Sequence, residues 1–474
     1  MIEKITNKSI AIFLLISSFV FILIGYFTSG TYDSGDSTYH FLHAQYALKY
    51  PELLLNHWAK PLFTLISVPF AQFGFFGMKV MNTIIILLSI WFTFLSARLL
   101  NYKYAALIPV FLFPASAFML SMYSGLTEPM FALFLSLGLY FSLCKKPIHA
   151  AIIISFLPFI RTEGQIIMIV YTVYYLFNKQ WKIIPLLLVG NIIYGFVGLI
   201  FKNDFLFTFH ENSYATGEDN YGSGGPFHFI KQLGFHIGFP LYGLFLLGLI
   251  YFIFQLRKPK LFFKQTNSLE LFFLVIGVYA SFFISDTIFW WQGLFHSLGL
   301  PRVLTSIVPV GSIICLMGFT FLKDEILGKW QKISLAFSYL LLAYIIIFPF
   351  SGNKAGFNFK KDFSLDDQQK ELTELADWYS RSGIKADHFY LAHQYFCIPM
   401  NIDPFDAKIK SDMDKYNADS VISNSLLVWD QWYAPIEFNI DLDTLENNPK
   451  LKLVKTMISG DKNNPYVIKV FYKK

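Results

Sequence analysis

The sequence predicts an all-α polytopic membrane bundle of about eleven transmembrane helices with a small C-terminal extracytoplasmic α/β domain. Three observations predict it. The 474 residues are 55% hydrophobic and 19% aromatic with only 15% charged, and mean hydropathy is +0.47, so lipid is the solvent for most of the chain. Apolar runs recur from residue 10 to residue 350. After Phe350 the composition turns abruptly polar.

The elements follow in order. The first run, residues 10–27 behind Lys4 and Lys8, is long and is followed by no A-x-A-like site, which makes it an uncleaved first span. A large first outer loop, residues 28–79, comes next. Within it YHFLHAQYALKY, residues 39–50, has the spacing of a helix lying along the membrane surface. Residues 61–76 are apolar but broken by Pro61, Pro69 and Gly74, which suits a re-entrant or interfacial segment. Further runs lie at 80–97, 105–120, 130–143, 148–160, 165–177, 183–201, 237–254, 271–284, 303–322 and 333–350. One continuous helix over 148–177 would be roughly 45 Å long against a hydrocarbon core of about 30 Å, and Pro158, Arg161, Glu163 and Gly164 sit in its middle. A turn there leaves nine basic residues in the later cytoplasmic loops and three opposite, so the positive-inside rule favours two short spans meeting outside. The N-terminus is then cytoplasmic. The compartment is a plasma membrane in a prokaryote or the endoplasmic reticulum in a eukaryote.

Residues 1–350 therefore form the membrane domain and 351–474 a soluble one. The latter opens with an amphipathic helix pattern, LDDQQKELTELADWYSR, and continues with strand-like runs at 388–392, 420–423, 451–457 and 466–472. A glycine-rich GEDNYGSGGP precedes the eighth span. The net charge of +6 resides mostly in short loops, a topology signal rather than a nucleic-acid footprint, and no nucleic-acid partner is expected. Cys144, Cys315 and Cys397 are too widely spaced for a disulfide framework or a zinc site.

Ionisable residues gather on the outer side. Asp33, Asp36, His40, His57, Lys60 and Glu128 come first, then Arg161, Glu163, His210, Glu211, His228, Asp286, His296 and Arg302. Charges at membrane depth are costly, so a set converging on one face points to a functional cavity; the plainer reading of any one is a solvated loop charge or an interfacial anchor. YDSGDSTYH is the most informative segment. Partial desolvation makes a carboxylate there a better base, whereas DSGDS also suits helix capping; one aspartate is assigned to each task. Glu128, between Thr127 as a cap and Pro129, reads as helix-dipole stabilisation. Snorkelling is the plain alternative for Lys60 and Arg302, and a structural ion pair for Arg161 with Glu163.

The order of SGDSTYH, HWAKPLF, GLTEPMFALFLSLGLYF, PFIRTEGQ and GLPRVLTSIVP resembles the polyprenyl-phosphate-sugar-dependent integral-membrane glycosyltransferases of the GT-C fold, of the protein-mannosyltransferase and ArnT-like kind. The resemblance covers roughly residues 10–350. That family often has adjacent acidic residues in its first loop, whereas this chain has Asp33-Ser34-Gly35-Asp36. The resemblance implies inverting transfer of a hexosyl or mannosyl-type sugar from a polyprenyl-phosphate donor to the hydroxyl of a glycan, lipid or protein acceptor at the outer face. It makes Asp36, with Asp33 beside it, the candidate base. Arg302, Lys60 and Arg161 become candidates for the donor phosphate, and His40, His57, Glu163, His228 and His296 further cavity residues. The carboxylates and histidines permit a divalent metal without demanding one. The alternative is a transporter or flippase of a polar or lipid-linked solute, which the absence of paired repeats disfavours.

Overall fold

The computed structural model describes residues 5–211, 221–352, 355–417, 421–461 and 464–474. Lys4, residues 217–220 of the glycine-rich stretch and Ser420 of an expected strand lie outside them. All eleven apolar runs are helical. The helices are α1 (Asn7–Phe27), α2 (Asp36–Tyr46), α3 (Pro61–Ala71), α4 (Gly74–Leu99), α5 (Ala105–Leu112), α6 (Ser116–Tyr123), α7 (Glu128–Leu143), α8 (Pro147–Phe159), α9 (Gly164–Phe177), α10 (Trp181–Lys202), α11 (Phe239–Leu256), α12 (Glu270–Gln292), α13 (Pro301–Ile326) and α14 (Gln331–Phe350). Among the described residues seven of them are long and apolar enough to cross a membrane, or eight if α5 and α6, bent by 77°, count as one. Pro114 lies at that bend, where it can donate no helical hydrogen bond. The expected eleven spans are thus not reached by length: α7 and α9 have 16 and 14 residues, or about 24 and 21 Å.

The bundle is held by close helix contact. A Cβ on Gly248 of α11 would fall 2.1 Å from the Ile314 carbonyl, and one on Gly318 of α13 1.9 Å from that of Leu244, so the two glycines let the backbones of α11 and α13 meet. Residues 304–319 of α13 are all buried, whereas Leu15 and Phe19 of α1, Phe201 of α10 and Leu340 of α14 are exposed. Such a display of large apolar side chains requires lipid around the periphery. Lys79, inside α4, donates to the Thr28 carbonyl (2.6 Å) and ties α1 to the bundle.

Two elements were expected in the first loop. α3 is a short helix packed on α4. α2 does not lie on a surface: Ser37, Thr38, His40, Phe41, Leu42, His43 and Ala44 are buried, because the C-terminal domain covers the side that the bundle leaves open.

That domain begins with α15 (Asp367–Arg381), whose capping box pairs Asp366 with Gln369. Its five strands, β1 (His388–Leu391), β2 (Lys410–Asp412), β3 (Ser425–Asp430), β4 (Lys452–Asp461) and β5 (Asn464–Lys473), are ordered β2-β1-β3-β5-β4. β1 is parallel to β2 and β3; β5 is antiparallel to β3 and β4. The strand expected at 420–423 starts instead after Asn424, whose φ of 59° ends the preceding loop, and β2 was not foreseen. Asp430, at the carboxyl end of β3, accepts from the backbone N–H groups of Trp432 (2.9 Å) and Tyr433 (2.7 Å) and so starts α16 (Tyr433–Phe438).

The domain docks on the first loop. Gly30 N donates to the Phe363 carbonyl, Ser34 Oγ to Gln368 Oε1 (3.1 Å) and Gln369 Nε2 to Thr31 Oγ1 (2.9 Å). Lys49 pairs with Asp403 at 2.6 Å, and the Phe405 ring enters a cage of His43, Tyr46 and Tyr50, with centroids 5.0–6.1 Å apart.

Candidate active site

The DSGDS turn is locked from below. Ser37 Oγ donates to the Thr31 carbonyl (3.1 Å) and accepts from Gly125 N (3.0 Å); a Cβ on Gly125 would strike the Ser37 carbonyl at 2.4 Å, so only glycine allows this approach. Asp33 Oδ1 accepts from Ser37 N (3.1 Å), which makes it the capping residue of the pair. Asp36 opens α2 and turns into a cavity of about 240 Å³.

Arg302, at the start of α13, joins the two aspartates. Nη1 lies 3.1 Å from Asp33 Oδ2, and Nη2 is bonded to Asp36 Oδ2. The guanidinium side chain is 12% exposed while Asp36 is 46% exposed, into the cavity. For Asp36, burial opposes the charge but Arg302 outweighs it, and the carboxyl is held below the usual carboxylate range. Asp33 goes the other way: burial pushes it up and Asp36 adds to the effect, against the pull of Arg302.

Across the cavity Arg161 forms a second cluster in the turn between α8 and α9. It pairs with Glu128 (3.0 Å) and Glu163 (2.7 Å) and donates to Thr127 Oγ1 (3.2 Å). Thr127 stands at the N-cap of α7 as expected but makes no side-chain cap because its hydroxyl serves Arg161, and Glu128, in the first turn as expected, is 2% exposed and pairs with Arg161 as well. Lys60 Nζ donates to Thr162 Oγ1 at 2.8 Å; burial brings its ammonium down to about 7, with Glu163 opposing and Arg161 assisting. Its φ is 65°, directly before Pro61 at the start of α3. A backbone so placed is costly and points to a constrained position.

His40 stacks on Trp58 (5.1 Å, 20°) with Nδ1 lacking a partner among the described residues, and burial lowers it to about 3, leaving a neutral ring. Asp286 of α12 lines the same cavity with Oδ2 unpartnered among those residues. The segment closing the cavity, 293–300, is unusual: Gly293, Phe295, His296 and Gly299 all have φ between 52° and 61°. Two consecutive non-glycine residues in the left-handed region store strain there.

Of the residues singled out in the sequence, Asp36, His40, Lys60, Glu128, Arg161, Glu163, Asp286, His296 and Arg302 line this cavity. Asp33 lines a second one beside it. His57 and His228 line neither; His57 is half-buried and lowered to about 4 by burial, and His228 Nε2 sits 2.7 Å from the Gly299 carbonyl, bracing the closing segment. His210 pairs with Asp204, and Glu211 with Lys202, away from both cavities. Among the described residues no three His, Cys, Asp or Glu side chains are grouped to hold a metal ion. Sequence reasoning missed Trp58 and Thr162, and it also missed the C-terminal residues Tyr433 and Glu437: a Cβ on Gly35 would meet the Tyr433 hydroxyl at 2.4 Å, and Glu437 accepts from Tyr221 (2.7 Å), whose ring faces His296.

Both guanidiniums are thus each held between two carboxylates, across a desolvated space large enough for a sugar ring and a phosphate. Such a site can grip an anion through Arg302, Arg161 and Lys60 and offer a carboxylate to a hydroxyl proton.

No family model matches the chain, and no curated protein matches it. Among solved structures the chain is similar to ArnT from Cupriavidus metallidurans in the apo state, with a TM-score of 0.62 and 10% sequence identity, covering 97% of this chain and 97% of that one. At that identity the likeness concerns the fold: a polytopic helical membrane bundle of GT-C architecture carrying a small C-terminal α/β domain.

Proposed function

We propose that this chain is a membrane glycosyltransferase that moves a hexosyl or mannosyl-type sugar from a polyprenyl-phosphate donor to an acceptor hydroxyl at the outer membrane face, with inversion. The observation that carries the reading is Arg302 held between Asp33 and Asp36 on the wall of a cavity that also contains Lys60 and Arg161. The ArnT-like fold supports it. In this reading the donor phosphate enters beside Lys60 and Arg161 and recruits Arg302. The bond between the anomeric carbon and the phosphate oxygen breaks as the acceptor oxygen bonds to that carbon, an aspartate takes the hydroxyl proton, and the three cations hold the leaving polyprenyl phosphate. Trp58, flat against His40, offers an aromatic face to the sugar. The acceptor is a glycan, a lipid or a protein, and the N-terminus is cytoplasmic.

The test is release of polyprenyl phosphate from a panel of polyprenyl-phosphate sugars by the full-length protein in nanodiscs. Native protein is expected to turn over at least one donor, and Asp36→Asn and Arg302→Ala to lose at least about 100-fold, roughly 2.7 kcal/mol of transition-state stabilisation. A folded native protein that releases no polyprenyl phosphate but carries a solute across vesicles would replace this reading with a transporter.

A further inference from the structure

Arg302 has a cavity on each side. The second, of about 680 Å³, lies between the bundle and the segment that leads into α15, and shares only Leu300 and Arg302 with the first. The two aspartates are divided between them: Asp36 lines the first and Asp33 the second. The chemistry of the walls is divided as well. Lys60 and Arg161 belong to the first cavity alone. The second is ringed by the hydroxyls and amides of Thr31, Gln232, Ser364 and Gln369 and the carboxylates of Asp362 and Asp366, with Lys361 as its cation besides Arg302. Phe235 and Pro301 add flat apolar faces. These amides, hydroxyls and carboxylates are set in a mostly apolar wall, and polar groups beside flat apolar faces match the hydroxyls and C–H faces of a neutral sugar. Inverting displacement requires the nucleophile to arrive on the face of the sugar ring opposite the leaving group.

On the reading under Proposed function, we propose that the second cavity is the acceptor pocket, that it takes the neutral end of a glycan, and that Asp33, not Asp36, accepts the proton of the attacking hydroxyl. The acceptor oxygen then bonds to the anomeric carbon from the Asp33 side, the phosphate departs with the bonding electrons toward Lys60 and Arg161, and Arg302 spans the two halves of the reaction. This reverses the expectation that Asp36 is the base. It accords with the upward shift of Asp33, which burial makes the stronger base of the two.

The test uses the full-length protein in nanodiscs with a donor it turns over, and fluorescent maltotriose, chitotriose and mannotriose as acceptor probes. Ser364→Trp and Ala117→Trp each fill the second cavity from a different wall, so one can fail to fold without ending the experiment. Native protein is expected to transfer to at least one trisaccharide; both variants are expected to lose that transfer at least tenfold while releasing polyprenyl phosphate to water within about threefold of native. Transfer at the native rate by either folded variant overturns the pocket assignment and leaves the glycosyltransferase standing. So does a native protein that hydrolyses donor but neither transfers to nor is inhibited by any of the three. Absence of polyprenyl phosphate release from every donor overturns the underlying reading instead.

Discussion

Replacing Gly35 by alanine puts a methyl carbon 2.4 Å from the Tyr433 hydroxyl oxygen, whereas real Cβ atoms keep at least 3.0 Å from their neighbours. The next ring atom of Tyr433 is 3.6 Å away, an ordinary contact. The clash is therefore with one oxygen, and α16 or the Asp33–Asp36 turn must yield by more than half an ångström. Overpacking of this kind costs about 1–3 kcal/mol. Tyr433→Phe alone removes that one hydroxyl, and its own cost is subtracted in the cycle. In the double variant the clash is gone, so Gly35→Ala should cost about 1–2 kcal/mol less in the Tyr433→Phe background than in the native one. Any backbone strain of alanine at position 35 is common to both backgrounds and cancels. The assay is thermal unfolding in nanodiscs together with the rate of polyprenyl phosphate release, because a shifted Asp36 reads out as a lower rate even where the fold survives. If the two substitutions are simply additive in both measurements, α16 does not rest on the Asp33–Asp36 turn and the C-terminal domain is a neighbour of the candidate site rather than part of it.

Two further outcomes follow from the geometry. Lys60 sits at about 7, so it is charged at pH 6 and about one-tenth charged at pH 8, while a phosphodiester donor keeps its charge throughout. Donor KM should rise roughly tenfold across that range in the native protein and stay flat in Lys60→Arg; a flat native profile removes Lys60 from the phosphate site. Gly248→Ala drives a methyl to 2.1 Å from the Ile314 carbonyl and should lower the unfolding temperature by separating α11 from α13, with no change in donor KM; an unchanged unfolding temperature would mean that the two helices do not meet there.

Much of the bundle was legible because lipid leaves a strong signal: the apolar runs are helical, the one at 105–120 as two helices, and Pro158 to Gly164 do mark a turn between α8 and α9. Span count was less so, since α7, α8 and α9 are shorter than a membrane crossing and hydropathy does not say how such helices sit. Within the site, Asp33, Asp36 and Arg302 were found from their position beside apolar runs. Glu128 does open α7 as its helix-start signal implied, but its pairing with Arg161 was not legible, because only the fold brings Arg161 to it. Tyr433 and Glu437 carried no signal at all: nothing in YAPIEF says that a turn near the beginning of the chain lies against it. β2 was missed because three residues leave no readable alternation.

The docking of the C-terminal domain on the first loop also sets a clock. Ser34 meets Gln368, 334 residues later in the chain, and Gly35 meets Tyr433 later still. At a synthesis rate of about 5–20 residues per second, the DSGDS turn waits roughly 20–70 s before the first of those partners is made. During that interval the carboxylates and the helices below them exist without the sheet that covers α2. A nascent chain therefore carries these carboxylates long before it can hold them in register, and the turn stays uncovered until the last strands have emerged.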